Sequence, residues 1–142
     1  MKRHRARRLA LQGLCCLDVQ GAKAANLVDL FLEDSRESSE TIAAARSLLA
    51  RALAGQPDID TILARHARHW DLPRLALVDR NILRLASCEL QTGQTPLRIV
   101  ISEALKLAHE FSTAESPRFI NGVLDAIAKE IAQGKNPPEP DP

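Results

Sequence analysis

The chain has 142 residues, 45% apolar and 26% charged, with 19 Lys and Arg against 18 Asp and Glu and a formal net charge of +1. That length fits one domain with a proper core, and the composition excludes a disordered chain. No apolar run approaches the roughly 20 residues a membrane helix needs, and the basic start lacks the apolar stretch of a secretory signal, so a cytoplasmic protein without a membrane partner is expected.

The first helix is predicted over residues 4–20. On a helical wheel Ala6, Leu9, Ala10, Gly13, Leu14 and Leu17 gather on the side expected to face a core. His4, Arg5, Arg8, Gln12, Cys15 and Val19 gather on the other side, with Arg7 at the boundary. Lys2, Arg3, Arg5, Arg7 and Arg8 against Asp18 give residues 1–20 a charge of +4, which leaves −3 for the rest of the chain. Guanidinium groups match phosphate oxygens bidentately and stay charged, so this end suits a polyanion. Cations at a helix N-terminus also oppose the macrodipole, a small cost that a purely structural helix would avoid. The plain alternative is a solvated terminus that only aids solubility.

A helix over 24–33 is followed by one over 39–54, where Ile42, Ala45, Leu48, Leu49, Ala52 and Leu53 recur at three- and four-residue intervals. Ser38 or Ser39 caps it, and Gly55 and Pro57 end it. The next helix, 58–67, ends close to His66 and His69. Two imidazoles without a third ligand make a weak metal site, and closing the helix C-terminus beside Trp70 suits them better.

Over 73–91, Val78, Ile82, Leu85 and Ala86 repeat the helical spacing. Asp79 falls within the apolar arc near Leu83 and Leu90, either as a favourable first-turn charge or as one half of a salt bridge to a partner. Glu89 sits closer to the centre of that arc and is expected to pair inside the fold, because a buried unpaired charge is too costly. A helix over 97–110 carries Val100, Ile101, Ala104, Leu105, Ala108 and Phe111. The last, 116–132, has Ser116 as N-cap and Pro117 at the first helical position, ahead of Ile120, Val123, Leu124, Ile127 and Ile131. Gly122 inside it costs roughly 1 kcal/mol against Ala, so close approach of a neighbouring helix, or of RNA, is expected there. The Pro-rich end from Asn136 cannot continue a helix and is expected to be a mobile tail (residues 135–142) beyond a single domain of residues 1–134. No segment alternates with a two-residue period, so the fold class is all-α with seven helices.

Catalysis needs a nucleophile with its base, paired carboxylates or a metal cluster, and the chain has no GxSxG, no phosphate-cradling glycine loop and no HExxH. Cys15, Cys16 and Cys88 cannot all pair within one chain and show no CxxC spacing, so free thiols are expected. Nothing argues for an enzyme, a cofactor or a metal. With three Phe, one Trp and no Tyr, an aromatic RNA-recognition sheet is excluded, and any RNA would meet a helical surface.

Four stretches are similar to a known family. They are Arg5-x-Arg-Arg-Leu-Ala-Leu-Gln-Gly-Leu14, Asp79-Arg-x-Ile-Leu-Arg-Leu-Ala-x-x-Glu-Leu90, Pro96-x-x-x-Val-Ile-Ser-Glu-Ala-x-x-Leu-Ala-x-x-Phe111 and Glu115-Ser-x-Arg-Phe-Ile-Asn-Gly-Val-Leu-Asp125. In this order they resemble the NusB family over nearly the whole chain. The resemblance implies an all-helical fold of two small helical-bundle subdomains. It also implies a bacterial transcription antitermination factor that binds boxA RNA of ribosomal RNA operons together with NusE, a small-subunit ribosomal protein, within the antitermination complex on RNA polymerase.

Carried over position by position, the resemblance assigns RNA binding to Lys2, Arg3, Arg5, Arg7 and Arg8 and to Glu115, Arg118 and Phe119 at the start of the last helix. Arg118 would meet phosphate, Phe119 would offer a stacking face or else be peripheral core, and Glu115 would accept a hydrogen bond from a base edge. The NusE surface would include Gln12, Cys15, Asp79 and Arg80. The family commonly has Tyr where Cys15 stands and Asn where Ser102 stands, so an aromatic contact toward NusE is missing here. Other readings are an RNA-targeting module like the N-terminal part of a ribosomal RNA cytosine methyltransferase, a protein-binding helical scaffold, and a helix-turn-helix regulator. An exposed Leu or Val beside the basic face leaves a homodimer open.

Overall fold

The computed structural model describes residues 2–67 and 75–135, the side chains of Lys2 and Lys135 excepted. The expectations for His69, Trp70, the first residues of the 73–91 helix and the tail from Asn136 lie outside these residues. Seven α-helices follow one another: α1 (Lys2–Gln20), α2 (Ala25–Glu33), α3 (Ser39–Ala54), α4 (Gln56–His66), α5 (Leu77–Thr92), α6 (Leu97–Phe111) and α7 (Ser116–Lys135). A single 3-10 turn (Ala22–Ala24) joins α1 to α2, and no strand occurs among the described residues. No described helix is long and apolar enough to cross a membrane.

α5 is the hub. Every residue from Asn81 to Leu90 is buried, because α1, α3, α4, α6 and α7 all pack around it. α1, α2 and α3 group on one side of α5, and α4, α6 and α7 on the other, with one continuous Leu/Ile/Val/Ala core running through both groups. A helix surrounded in this way must satisfy its polar side chains inside the protein. α5 carries five such buried residues, Asp79, Asn81, Arg84, Ser87 and Glu89, and all but Ser87 find a side-chain partner.

Local chemistry explains the helix ends. Of the two candidate caps on α3, Ser38 is the one used: its Oγ accepts from the Thr41 backbone N–H at 3.1 Å. Gly93 ends α5 at φ 67°, a left-handed conformation that glycine adopts without strain. Gly13 lies on the packed face of α1, where an added Cβ would stand 3.2 Å from both Leu49 Cδ2 and Val28 Cγ1. That glycine lets α2 and α3 approach α1 closely.

For α7 one expectation fails and another narrows. Ser116 does not cap the helix; its hydroxyl bonds Asp79 instead, and the carbonyl of Glu115 accepts the first helical hydrogen bond, from Phe119. Gly122 marks no close approach among the described residues, because no atom beyond its own helix backbone lies within 4 Å of a Cβ placed there. Nothing else in the structure explains that glycine.

Candidate nucleic-acid interface

The rotation of α1 sends its cations in different directions, since successive residues step about 100° around the axis. Arg5 is exposed, with Nη1 3.7 Å from Glu37 Oε2 in the connection before α3. Arg8 is exposed as well; its Nε lies 3.0 Å from Glu110 Oε2, and its guanidinium sits 5.6 Å from the centre of the Phe111 ring. Between α1 and α6, His4 places its two ring nitrogens 2.6 Å from Glu103 Oε2 and 2.6 Å from Glu110 Oε1. Burial would raise the Glu103 carboxyl, but hydrogen bonds from His4 and Lys106 hold it below its ordinary range. The pairs of Arg5 and Arg8 are at the surface, where an ion pair is worth little and a phosphate can replace the carboxylate.

α6 ends at Phe111 and turns through Ser112–Glu115 into α7, so Arg8 abuts one end of the connection that opens α7. At the other end Arg118 and Glu115 are exposed and Phe119 is half-buried. Phe119 and Glu115 line a pocket of about 350 Å³ with Leu75, Ala76, Thr113 and Ser116. The two stretches assigned to RNA thus flank a single turn. Phe111 joins them and was not among the expected site residues. On the sequence it is one more apolar position of α6, and only the fold shows Arg8 above its ring.

Arg7 does not belong to this surface. It is 4% exposed, and its Nε and Nη2 donate to Glu89 Oε2 and Oε1 at 2.9 and 2.8 Å. The internal partner expected for Glu89 is therefore Arg7, which lies one helical step away from the exposed Arg8. Burial works against the Arg7 charge, but the hydrogen bond and charge of Glu89 outweigh it and hold the guanidinium charged.

Asp79 is turned inward as well. It is 8% exposed and accepts from Ser112 Oγ at 2.5 Å and from Ser116 Oγ at 2.9 Å, which pins the α6–α7 turn to α5. Arg80 is turned inward, with Nε and Nη2 2.8 and 2.7 Å from Asp18 Oδ2. The same oxygen accepts from Asn81 Nδ2 at 2.9 Å and Arg84 Nη1 at 3.1 Å. Arg84 continues this network through a bidentate pair with Asp60 of α4 at 2.8 and 2.9 Å. Of the positions assigned to NusE, only Gln12 stays exposed, beside half-buried Cys15 and Cys16. The Cys15 thiol is pushed up to about 11, by burial first and then by Asp18, so it remains a neutral thiol.

Burial alone would raise the Asp18 carboxyl, but hydrogen bonds from Asn81 and Arg80 and the charges of Arg80 and Arg84 hold it below its ordinary value. A carboxyl lowered in the folded state contributes stability that is complete above its unfolded value, about pH 4, and is lost as pH falls through the folded value. We expect Asp18→Asn to lower the melting temperature at pH 7 and to flatten its decline below pH 4. Parallel melting curves for the variant and the parent across pH 2–7 would overturn this.

On α4, His66 Nε2 lies 3.3 Å from Glu130 Oε1, and Arg65 donates to both Glu130 oxygens at 2.9 and 3.0 Å. This end of α4 is therefore held against α7. Cys15, Cys16 and Cys88 are free thiols.

These features describe an all-helical protein whose basic first helix meets the junction of its last two helices. The NusB family model matches residues 4–129, and the chain belongs to that family. The transcription antitermination protein NusB of Solibacter usitatus is 38% identical over 138 residues, 96% of this chain and 94% of its own. NusB of T. maritima superposes with a TM-score of 0.82 at 32% identity, covering 90% of this chain and 91% of its own. A crystal structure of NusB and NusE in complex with double-stranded RNA contains a chain that matches with a TM-score of 0.80 at 27% identity, over 91% of this chain and 97% of that one.

Proposed function

We infer that this protein is a transcription antitermination factor: an RNA-binding adaptor that turns nothing over, engages boxA RNA of ribosomal RNA operons together with NusE, and joins both to the antitermination complex on RNA polymerase. One observation carries the reading. Arg8, stacked on Phe111, brings the basic edge of α1 to the turn that opens α7, so Arg5, Arg8, Arg118 and Phe119 offer phosphate contacts and a stacking face around one connection. The relative solved with NusE and double-stranded RNA has this fold and supports the choice of ligand. For NusE, the exposed edge of α1 at Gln12, with Cys15 and Cys16 behind it and the apolar groove toward Leu27 and Phe31, is the surface left once Asp79 and Arg80 are tied inside.

Arg5→Glu with Arg8→Glu is expected to abolish measurable boxA binding at physiological salt. In low salt it should reduce the slope of log affinity against log salt by about 2, one for each arginine withdrawn from a phosphate. Both side chains are exposed and weakly paired, so the melting temperature should hardly move. Unchanged affinity and slope, or equal affinity of the parent protein and NusE for a scrambled RNA, would overturn the reading.

A further inference from the structure

We propose that a second cleft, between α1, α3 and the turn from α5 to α6, binds a phosphate group. It has a volume of about 240 Å³, and its floor is the Arg7–Glu89 pair. Arg3 of α1 and Arg51 of α3 stand on its walls, with Ser47 beside Arg51 and with Gln94 and Thr95 on the turn. Arg3 and Arg5 are about 160° apart around α1, so this cleft opens on a different flank from the surface described above.

Charge selects the ligand. The floor is neutral, because Glu89 cancels Arg7. Arg5 and Arg8 each have a carboxylate at hand, but among the described residues neither Arg3 nor Arg51 lies within ion-pair distance of one. Two guanidinium groups without a carboxylate partner therefore line one small cleft, an arrangement that favours a bound anion.

The hydrogen-bonding groups select among anions. Arg51 Nη2 donates to Ser47 Oγ at 2.9 Å, which leaves the Ser47 hydroxyl proton free to donate into the cleft. Thr95 and Gln94 add a hydroxyl and an amide that make no side-chain hydrogen bond among the described residues. Two forked cations and three neutral donors match the several oxygens of a phosphate better than the two of a carboxylate. That phosphate is either a backbone group of RNA running past α1 or a free phosphate or mononucleotide. Only the RNA source rests on the antitermination reading.

Chemical-shift titration of the full chain separates these sources. Inorganic phosphate and a 5′-mononucleotide are each added while the side-chain signals of Arg51 and the amides of Ser47 and Thr95 are followed. In parallel, a minimal boxA RNA is compared with one extended by a few nucleotides at each end. Saturable shifts at these three residues, weakened about tenfold in Arg51→Gln, support a free phosphate ligand. An affinity gain from the extended RNA that Arg51→Gln removes, with minimal-RNA binding and melting temperature unchanged, supports the backbone source. Absence of both effects overturns the proposal. Should the minimal RNA fail to bind at all, the antitermination reading falls while the phosphate titration still decides the cleft.

Discussion

Replacing Arg7 by alanine is expected to destabilise the fold by about 3–5 kcal/mol, because it takes the bidentate partner from the nearly buried Glu89 carboxylate. Both ends of the pair are nearly buried, with side-chain exposures of 5% and 10%, and the geometry is bidentate, so water entering from the cleft above replaces the guanidinium only poorly. In a chain of this size such a loss lowers the melting temperature by roughly 10–20 °C. Glu89→Ala should do comparable damage. Arg7→Met combined with Glu89→Met should recover most of it, since removing both charges also removes their desolvation cost. The folded fraction of Arg7→Met with Glu89→Met should still bind RNA. If Arg7→Ala kept its melting temperature and lost RNA binding, Arg7 would belong to the RNA surface after all.

The apolar spacing made the helices legible, and the same spacing flagged the charges that the fold had to neutralise. Glu89 stood out because it occupied the centre of an apolar arc, yet its partner lies 82 residues away and no local pattern points to it. The five cations at positions 2–8 look like one patch on the sequence. Folding divides them. α1 turns Arg7 into the core, Arg5 and Arg8 toward Glu37 and Glu110, and Arg3 toward the cleft that Arg51 shares. Which cation faces which flank depends on where α3, α5 and α6 settle around α1, and that packing is all long-range. Phe111 was hidden for the same reason, as an ordinary apolar position until Arg8 is placed above it.

Placement of the exposed basic edge of α1 follows from α5. Arg7–Glu89 ties the first turns of α1 to the end of α5, while Asp18 with Arg80, Asn81 and Arg84 ties the last turns of α1 to its beginning. With both ends fixed, α1 cannot roll about its axis, so Arg5 and Arg8 stay outward without being held rigidly themselves. The polar residues of α5 therefore serve orientation as much as stability, and the exposed basic edge stays loosely paired, as an exchange of carboxylate for phosphate would require.

Asp79→Ala is the companion case on the other half of the edge, with an expected cost of about 2–3 kcal/mol. The carboxylate accepts from two hydroxyls, Ser112 at the end of α6 and Ser116 at the start of α7, and its removal leaves both without that acceptor at the largely buried base of the Phe119 pocket. Ser112→Ala and Ser116→Ala should each cost about 1 kcal/mol and should not add to Asp79→Ala, because all three substitutions break one network. RNA affinity should fall with Asp79→Ala even though Asp79 is buried, because Phe119 and Arg118 are aimed by the turn that it holds. Asp79→Asn keeps one acceptor oxygen and should retain most of the stability and all of the NusE binding in a pull-down. Asp79→Arg should lose stability and partner binding together, since a guanidinium facing two hydroxyls has no counter-charge there. The decisive variant is Asp79→Asn: a normal melting temperature with selective loss of NusE would mean that the carboxylate leaves its serines to meet the partner.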